Sequence, residues 1–363
     1  MKCHLLIFSL ILLIPIFCSA QSGRIKTYSE SSKNPPQIQI NRQGESGDET
    51  DVYEDVIKIN TDLILIPVQI NDGKNKSVLD VKREEFKVFE NGIEQEIAYF
   101  SDQDQPFTVA LALDMSYSSV FKLQEIQAAA FSFVNQLRPD DKIMIVSFDE
   151  RVRILCEPTN DRKVLKLAIE GAEISSGTGL YTVLDSIQNE KFKKITGRKA
   201  IVLLSDGVDT SSKNLTKSEI LTVFGETDTI VYPIKYDTYD DVQKNRKENA
   251  EVVYDEKNRP YLVMKPKEKG EREEDYREAN EFLKSLALQT GGSIYRVNST
   301  TNLSRAFSKI ANELRKIYSL GYYSSNPRKI GVRYAVNIRV YRQNLKIKAK
   351  ESYIWQEKKD REK

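Results

Sequence analysis

The chain has 363 residues, of which 40% are hydrophobic and 30% charged, and a formal net charge of +2. That is enough apolar material for a sizeable core and suggests about two domains. The near balance of 55 Lys and Arg against 53 Asp and Glu gives no concentrated basic face, and so no reason to expect a nucleic-acid partner.

Residues 1–20 read as a secretory signal. Lys2 is the charged start, Leu5 to Phe17 the apolar run, and Cys18-Ser19-Ala20 supplies small residues before a cleavage point. The run is too short to span a bilayer and contains Pro15, which disfavours an uncleaved anchor. Phe17 before Cys18 disfavours a lipoprotein signal. The expectation is an exported protein, periplasmic or secreted, with no membrane span in its mature chain. The lone histidine, His4, and two of three cysteines leave with the signal. A mature chain with no histidine and only Cys156 has no internal disulfide, no Ser-His-Asp triad, no Cys-His pair and no zinc site of the usual kind. Cys156 ends the apolar run from Val152 and reads as a buried strand residue.

Residues 21–51 are polar, with Pro35-Pro36, and read as a disordered leader. Residues 52–100 alternate with period two. Ile64, Ile66, Val68 and Ile70 predict one strand face, closed by Asn71-Asp72-Gly73. Phe86 to Glu90 and Ile93 to Phe100 flank Asn91-Gly92, a strong hairpin signal.

Residues 105–317 alternate strand and helix, which predicts a doubly wound α/β domain with a mostly parallel sheet. Phe107–Leu113, Lys142–Phe148, Lys199–Leu204, Thr229–Ile234 and Ser293–Arg296 are its predicted strands, with Val152–Cys156 an antiparallel edge. Helices are predicted over 123–137, after the Gly177-Thr178-Gly179 turn, over 276–288 and over 302–316. Residues 238–275 are dense in charge and read as an insertion, a solvated and partly ordered loop in preference to a binding appendage. Residues 318–355 return to period two, with Tyr334, Val336, Ile338 and Val340 on one face. Each β-rich flank is too small to fold alone. The expected solution is one small β-sandwich, 52–100 pairing with 318–355, with the α/β domain inserted between its halves. Residues 356–363 read as a frayed tail.

Three short segments carry chemistry. Leu111-Ala-Leu-Asp114-Met-Ser116-Tyr-Ser118 runs from an apolar strand into Asp-x-Ser-x-Ser. Ser176-Gly-Thr178-Gly precedes a helix. Ile201-Val-Leu-Leu-Ser205-Asp206-Gly207 ends a second strand in a carboxylate. Ligands of open α/β sheets gather at the carboxyl ends of strands, where these segments can meet. Singly, each has a bland explanation: a turn or cap for Asp114, a helix cap for Thr178, a Ser-Asp-Gly turn. Jointly, Asp114, Ser116, Ser118, Thr178 and Asp206 offer three hydroxyls and two carboxylates. Such hard oxygens suit Mg²⁺, which wants six ligands, with Mn²⁺ and Ca²⁺ as alternatives. Two carboxylates only neutralise the ion, so an open position would attract an external acid.

This pattern resembles the von Willebrand factor type A domain and its metal-ion-dependent adhesion site, over about 107–316. Asp114, Ser116, Ser118, Thr178 and Asp206 occupy the family's ligand positions. Phe86-Lys-Val-Phe-Glu-Asn-Gly, Leu204-Ser-Asp-Gly-Val-Asp-Thr, Gln289-Thr-Gly-Gly and Tyr318-Ser-Leu-Gly-Tyr322 resemble the exported bacterial VWFA-related proteins, over about 52–355. Tyr117 departs from the small residue common between the two serines. The resemblance implies a non-enzymatic, metal-dependent adhesion protein that ligates an Asp or Glu of another protein. It also implies a last helix that shifts with ligation. A Mg²⁺-dependent hydrolase using the same site is the competing expectation. Against it, no Lys or Arg stands beside the three segments as a phosphate clamp. A scaffold holding a purely structural ion is a third.

Overall fold

The computed structural model describes residues 63–355 apart from 103–104 and 117–122. The expected signal, leader and tail, and with them Ser118, lie outside the described residues. The chain begins with β1 (Leu63–Asp72), β2 (Phe86–Glu90), β3 (Ile93–Gln95) and β4 (Ile97–Ser101). The middle runs β5 (Phe107–Asp114), α1 (Leu123–Gln136), β6 (Lys142–Phe148), β7 (Val152–Thr159), α2 (Arg162–Glu170), α3 (Leu180–Asp185), β8 (Arg198–Ser205), α4 (Lys217–Glu226), β9 (Ile230–Tyr236) and α5 (Tyr239–Glu248). It continues with β10 (Glu251–Tyr254), β11 (Pro260–Val263), α6 (Glu273–Thr290), β12 (Tyr295–Val297) and α7 (Thr300–Leu314). The last strands are β13 (Ile317–Tyr323), β14 (Arg333–Val340), β15 (Leu345–Ala349) and β16 (Ser352–Ile354).

The six-stranded sheet has the order β12-β9-β8-β5-β6-β7, all neighbours parallel except the antiparallel edge strand β7. β5 is apolar on both faces because both are covered. Its Val109, Leu111 and Leu113 join the core beneath α1, α2 and α7. Its Ala110 and Ala112 join the opposite core, beneath α3, α4 and α6. This is the doubly wound α/β architecture that the alternation of strand and helix predicts.

The flanks form two four-stranded antiparallel sheets, β15-β1-β13-β4 and β16-β14-β2-β3. Strands from both ends of the described chain pair in each, so the α/β unit is inserted in a sandwich. One core unites Ile66, Val68 and Ile70 of β1 with Val88, Tyr318, Leu320 and Val336. Phe86 and Tyr318 meet edge to face across the sheets, with ring centroids 5.4 Å apart.

Four local expectations need correction. Residues 93–100 are not one strand: β3 pairs with β2 in one sheet and β4 with β13 in the other. The chain changes sheet at Glu96 while period two continues, so alternation alone cannot show the break. Residues 238–275 are not a loop: they hold α5, the β10–β11 hairpin and the start of α6. Their charges lie on solvated surfaces of regular elements, which hides the periodicity. Cys156 is only half-buried, because β7 is an edge strand. Helices α2 and α4 add to the expected elements, and both are capped: Asp161 accepts from Lys163 N, and Thr216 and Glu219 form a capping box. Among the described residues, no helix is long and apolar enough to cross a membrane.

Glu90 of β2 is buried and accepts from Tyr322 Oη of β13 at 2.9 Å and Tyr353 Oη of β16 at 2.6 Å, so it ties the two sheets together. Glu90→Ala would strand two phenol hydroxyls. It is expected to cost about 2–4 kcal/mol, read as a lower urea midpoint with an unchanged slope.

Candidate metal centre

The sheet order reverses at β5. The chain goes from β5 to β6 on one side, then crosses to β8 on the other. The carboxyl end of β5 is therefore a topological switch point, where loops diverge and leave a crevice. Asp114 is the last residue of β5, and the register Leu113↔Leu204 sets it beside Ser205 at the end of β8. Ser205 Oγ donates to Asp114 Oδ2 at 2.7 Å, and the Ser116 amide donates to Asp114 Oδ1 at 3.1 Å. Asp206 follows β8. Its Oδ1 accepts from the Val208 amide at 2.9 Å and its Oδ2 from Thr238 Oγ1 at 2.6 Å.

Thr178 reaches the same rim through its backbone. Its carbonyl accepts from the Thr210 and Ser211 amides at 2.9 and 3.0 Å, and its amide donates to Thr210 Oγ1 at 2.9 Å. The loop of Thr178 is thus fastened to the loop of Asp206. Its other side is fastened to β5 and β6: the Ser175 amide donates to the Met115 carbonyl, and the Gly179 amide to the Asp149 carbonyl. Gly177 makes this packing possible. Its φ is +73°, and a Cβ there would lie 2.3 Å from Ser211 Oγ.

Asp114, Ser116, Thr178 and Asp206 are all buried. Burial pushes the Asp114 carboxyl up to about 7, and the neighbouring Asp206 charge adds to the rise. Hydrogen bonds from Ser205 and Ser116 oppose it. Burial also raises Asp206, against the Thr238 hydroxyl, the Val208 amide and the Lys235 charge. Two carboxyls are therefore held close together out of water, in an environment that disfavours their ionised forms. A divalent cation supplies the charge that reverses this, and Ser116 and Thr178 bring hydroxyls, further hard-oxygen groups, to the loops at these strand ends. The residues present fit such an ion.

Of the five predicted ligands, Asp114 and Asp206 stand at the ends of neighbouring strands, Ser116 follows Asp114, the Thr178 backbone is bound to the loop after Asp206, and Ser118 lies outside the described residues. Sequence reasoning missed Ser205, Thr238 and Asp149. Ser205 was legible as the β8 residue level with Asp114. Thr238 was not, because its reach to Asp206 depends on tertiary packing.

In the metal-free protein, the folded-state value for Asp114 lies above its ordinary value near 4. Its contribution to stability is then present below pH 4 and lost as pH rises through 7. Asp114→Asn is expected to be more stable than the parent at pH 8, by an advantage that shrinks toward pH 5. Urea midpoints of both proteins across that range, in chelator, check it. Gly177→Ala is expected to lose about 1–3 kcal/mol and displace the Thr178 loop. Its thermal midpoint and the exchange rate of the Thr178 amide would show both effects.

Residues 109–208 match the family model of the von Willebrand factor type A domain. No curated protein gives a match. Solved structures with similar folds include an aerotolerance-related membrane protein from Bacteroides fragilis, at 15% identity and a TM-score of 0.39, covering 57% of this chain and 98% of that one. The von Willebrand domain of a type V pilus tip protein from Porphyromonas gingivalis is 16% identical, with a TM-score of 0.40, over 57% of this chain and 94% of that one. Proximal thread matrix protein 1 of the mussel byssus, described with a zinc-occupied MIDAS motif, is 14% identical with a TM-score of 0.42, over 63% of this chain and 50% of that one. The family match runs from within β5 to just past β8, and so takes in Asp114, Ser116, Thr178 and Asp206.

Proposed function

We propose that this chain is a non-enzymatic protein that binds another protein through a divalent cation. Asp114, Ser116, Ser118, Thr178 and Asp206 would hold the ion, Mg²⁺ in the first place. A partner's Asp or Glu would complete its shell. The observation that carries this reading is the pair of buried carboxyls at neighbouring strand ends, both shifted toward their neutral forms. A cation balances that pair, and two carboxylates leave it with no surplus negative charge to repel an incoming acid. The apolar start of the chain supports a place outside the cytoplasm, and the motifs flanking the domain support kinship with exported bacterial VWFA-related proteins.

Titration with Mg²⁺ or Mn²⁺ tests the reading. At a hundredfold excess over Kd, a cation that binds only the folded state adds about 2.7 kcal/mol, seen as a rise of several degrees in Tm. Asp114→Ala and Asp206→Ala are expected to remove the rise, Thr178→Ala to reduce it, and EDTA to reverse it. Capture of an exported partner should then require the cation. Parent protein with no cation-dependent change in Tm would contradict the proposal.

A further inference from the structure

The β10–β11 hairpin follows β9 and α5, and the strap after it reaches the loop beyond Asp206, where Lys269 lies 3.6 Å from Asp209. Cross-strand pairing Val252↔Leu262 and Tyr254↔Pro260 puts these four side chains on one face. That face is apolar, yet Val252, Tyr254 and Leu262 are 53%, 61% and 61% exposed, and Met264 just beyond β11 is 43% exposed. Among the described residues, β10 and β11 pair only with each other. A two-stranded ribbon with an open edge and an uncovered apolar face is marginal in water and gains most from a third strand.

The two edges differ in charge. β10 and the turn carry Glu251, Asp255 and Glu256 against Lys257. From Arg259 to Lys269, the β11 side carries Arg259, Lys265, Lys267 and Lys269 against Glu268 alone. Arg259 is spent on Asp255 at 2.7 Å, and Lys269 lies 3.6 Å from Asp209. Lys265 and Lys267 form no ion pair among the described residues, and Lys267 rests over the Tyr239 ring, its Nζ 5.6 Å from the centroid. The strap after β11 is tied down: Arg246 Nη2 donates to the Lys265 carbonyl at 2.6 Å, and Gln243 Nε2 to the Glu271 carbonyl at 2.9 Å. It ends against the loop that follows Asp206, where a Cβ on Gly270 would lie 2.9 Å from Thr210 Cγ2. The basic edge of β11 therefore leads toward the candidate cation.

We propose that the outer edge of β11 and the adjoining apolar face accept an extended acidic segment of a partner protein as a third strand, beside the cation site. Main-chain hydrogen bonds to β11 would supply register, alternate apolar side chains would cover Val252, Leu262 and Met264, and acidic residues would meet Lys265 and Lys267. The identity of the partner as an acid-bearing protein rests on the proposed function; the hairpin surface is tested separately from it.

The experiment pans a display library of random twelve-residue peptides against the full chain with Mg²⁺, then measures affinities of the enriched peptides by fluorescence polarisation. Peptides that alternate apolar residues and carry Asp or Glu are expected. Leu262→Glu and Met264→Glu, both on solvated positions, should each weaken binding at least tenfold. N-methylation of alternate peptide amides should abolish binding in one alternation and spare it in the other. Binding that survives EDTA and Asp114→Asn but fails in the hairpin variants supports a strand surface that acts without the cation. Binding that needs the cation but ignores the hairpin variants overturns the strand surface alone. Failure to enrich any such peptide also overturns it. So does either of two other occupants of the face: vesicles of one part phosphatidylglycerol to three parts phosphatidylcholine, or a second copy seen by sedimentation, in each case lost in Leu262→Glu.

Discussion

Asp114 and Asp206 stand at the ends of adjacent parallel strands, out of water and within reach of each other's charge. Placing two carboxyls so is unfavourable unless they are neutral or share a cation. The surrounding fold is arranged to sustain that cost. Ser205, Thr238 and the amides of Ser116 and Val208 each take one carboxyl oxygen in a fixed direction. The loop of Thr178 is fastened to strand ends on one side and to the Asp206 loop on the other. Burial at the ends of β5 and β8 thus sets up the electrostatic demand, and the loops fix where it can be met.

The opposite end of the sheet is held differently. Arg198, at the start of β8, stacks over Phe107 at 4.0 Å and donates to the carbonyls of Gln105 at 2.8 Å and Ile317 at 2.6 Å. Those carbonyls flank the two crossings between the α/β unit and the sandwich. Gln69 of β1 adds bonds to Tyr232 Oη at 3.0 Å and to Glu313 of α7 at 3.2 Å. Buried Lys350, which donates to the Thr227 carbonyl at 3.0 Å, joins β15 and β16 to the end of α4. The sandwich therefore grips the amino end of the sheet and the last helix.

The fold was legible wherever burial is symmetrical. Val109–Leu113 and Ala200–Leu204 are continuous apolar runs because helices cover both their faces. The ligand set was legible because metal chemistry needs particular side chains at strand ends, which spacing preserves. What sequence could not show depends on partners distant in the chain. The switch of Gln95 and Ile97 into different sheets is decided by β2 and β13, not by local pattern. Thr238 reaches Asp206 only because β9 lies beside β8. The hairpin's apolar face was obscured by flanking charge, since Val252 and Leu262 become a patch only when paired.

The most direct test of the central claim is a crystal structure of the Mn²⁺-soaked protein with anomalous data. The account predicts one strong peak at the carboxyl ends of β5 and β8, within coordination distance of Asp114, Ser116 and Thr178, with Asp206 in contact directly or through water. A fully occupied lattice solvent with no peak there, or Thr178 Oγ1 turned away from Asp114 in the soaked crystal, would contradict it.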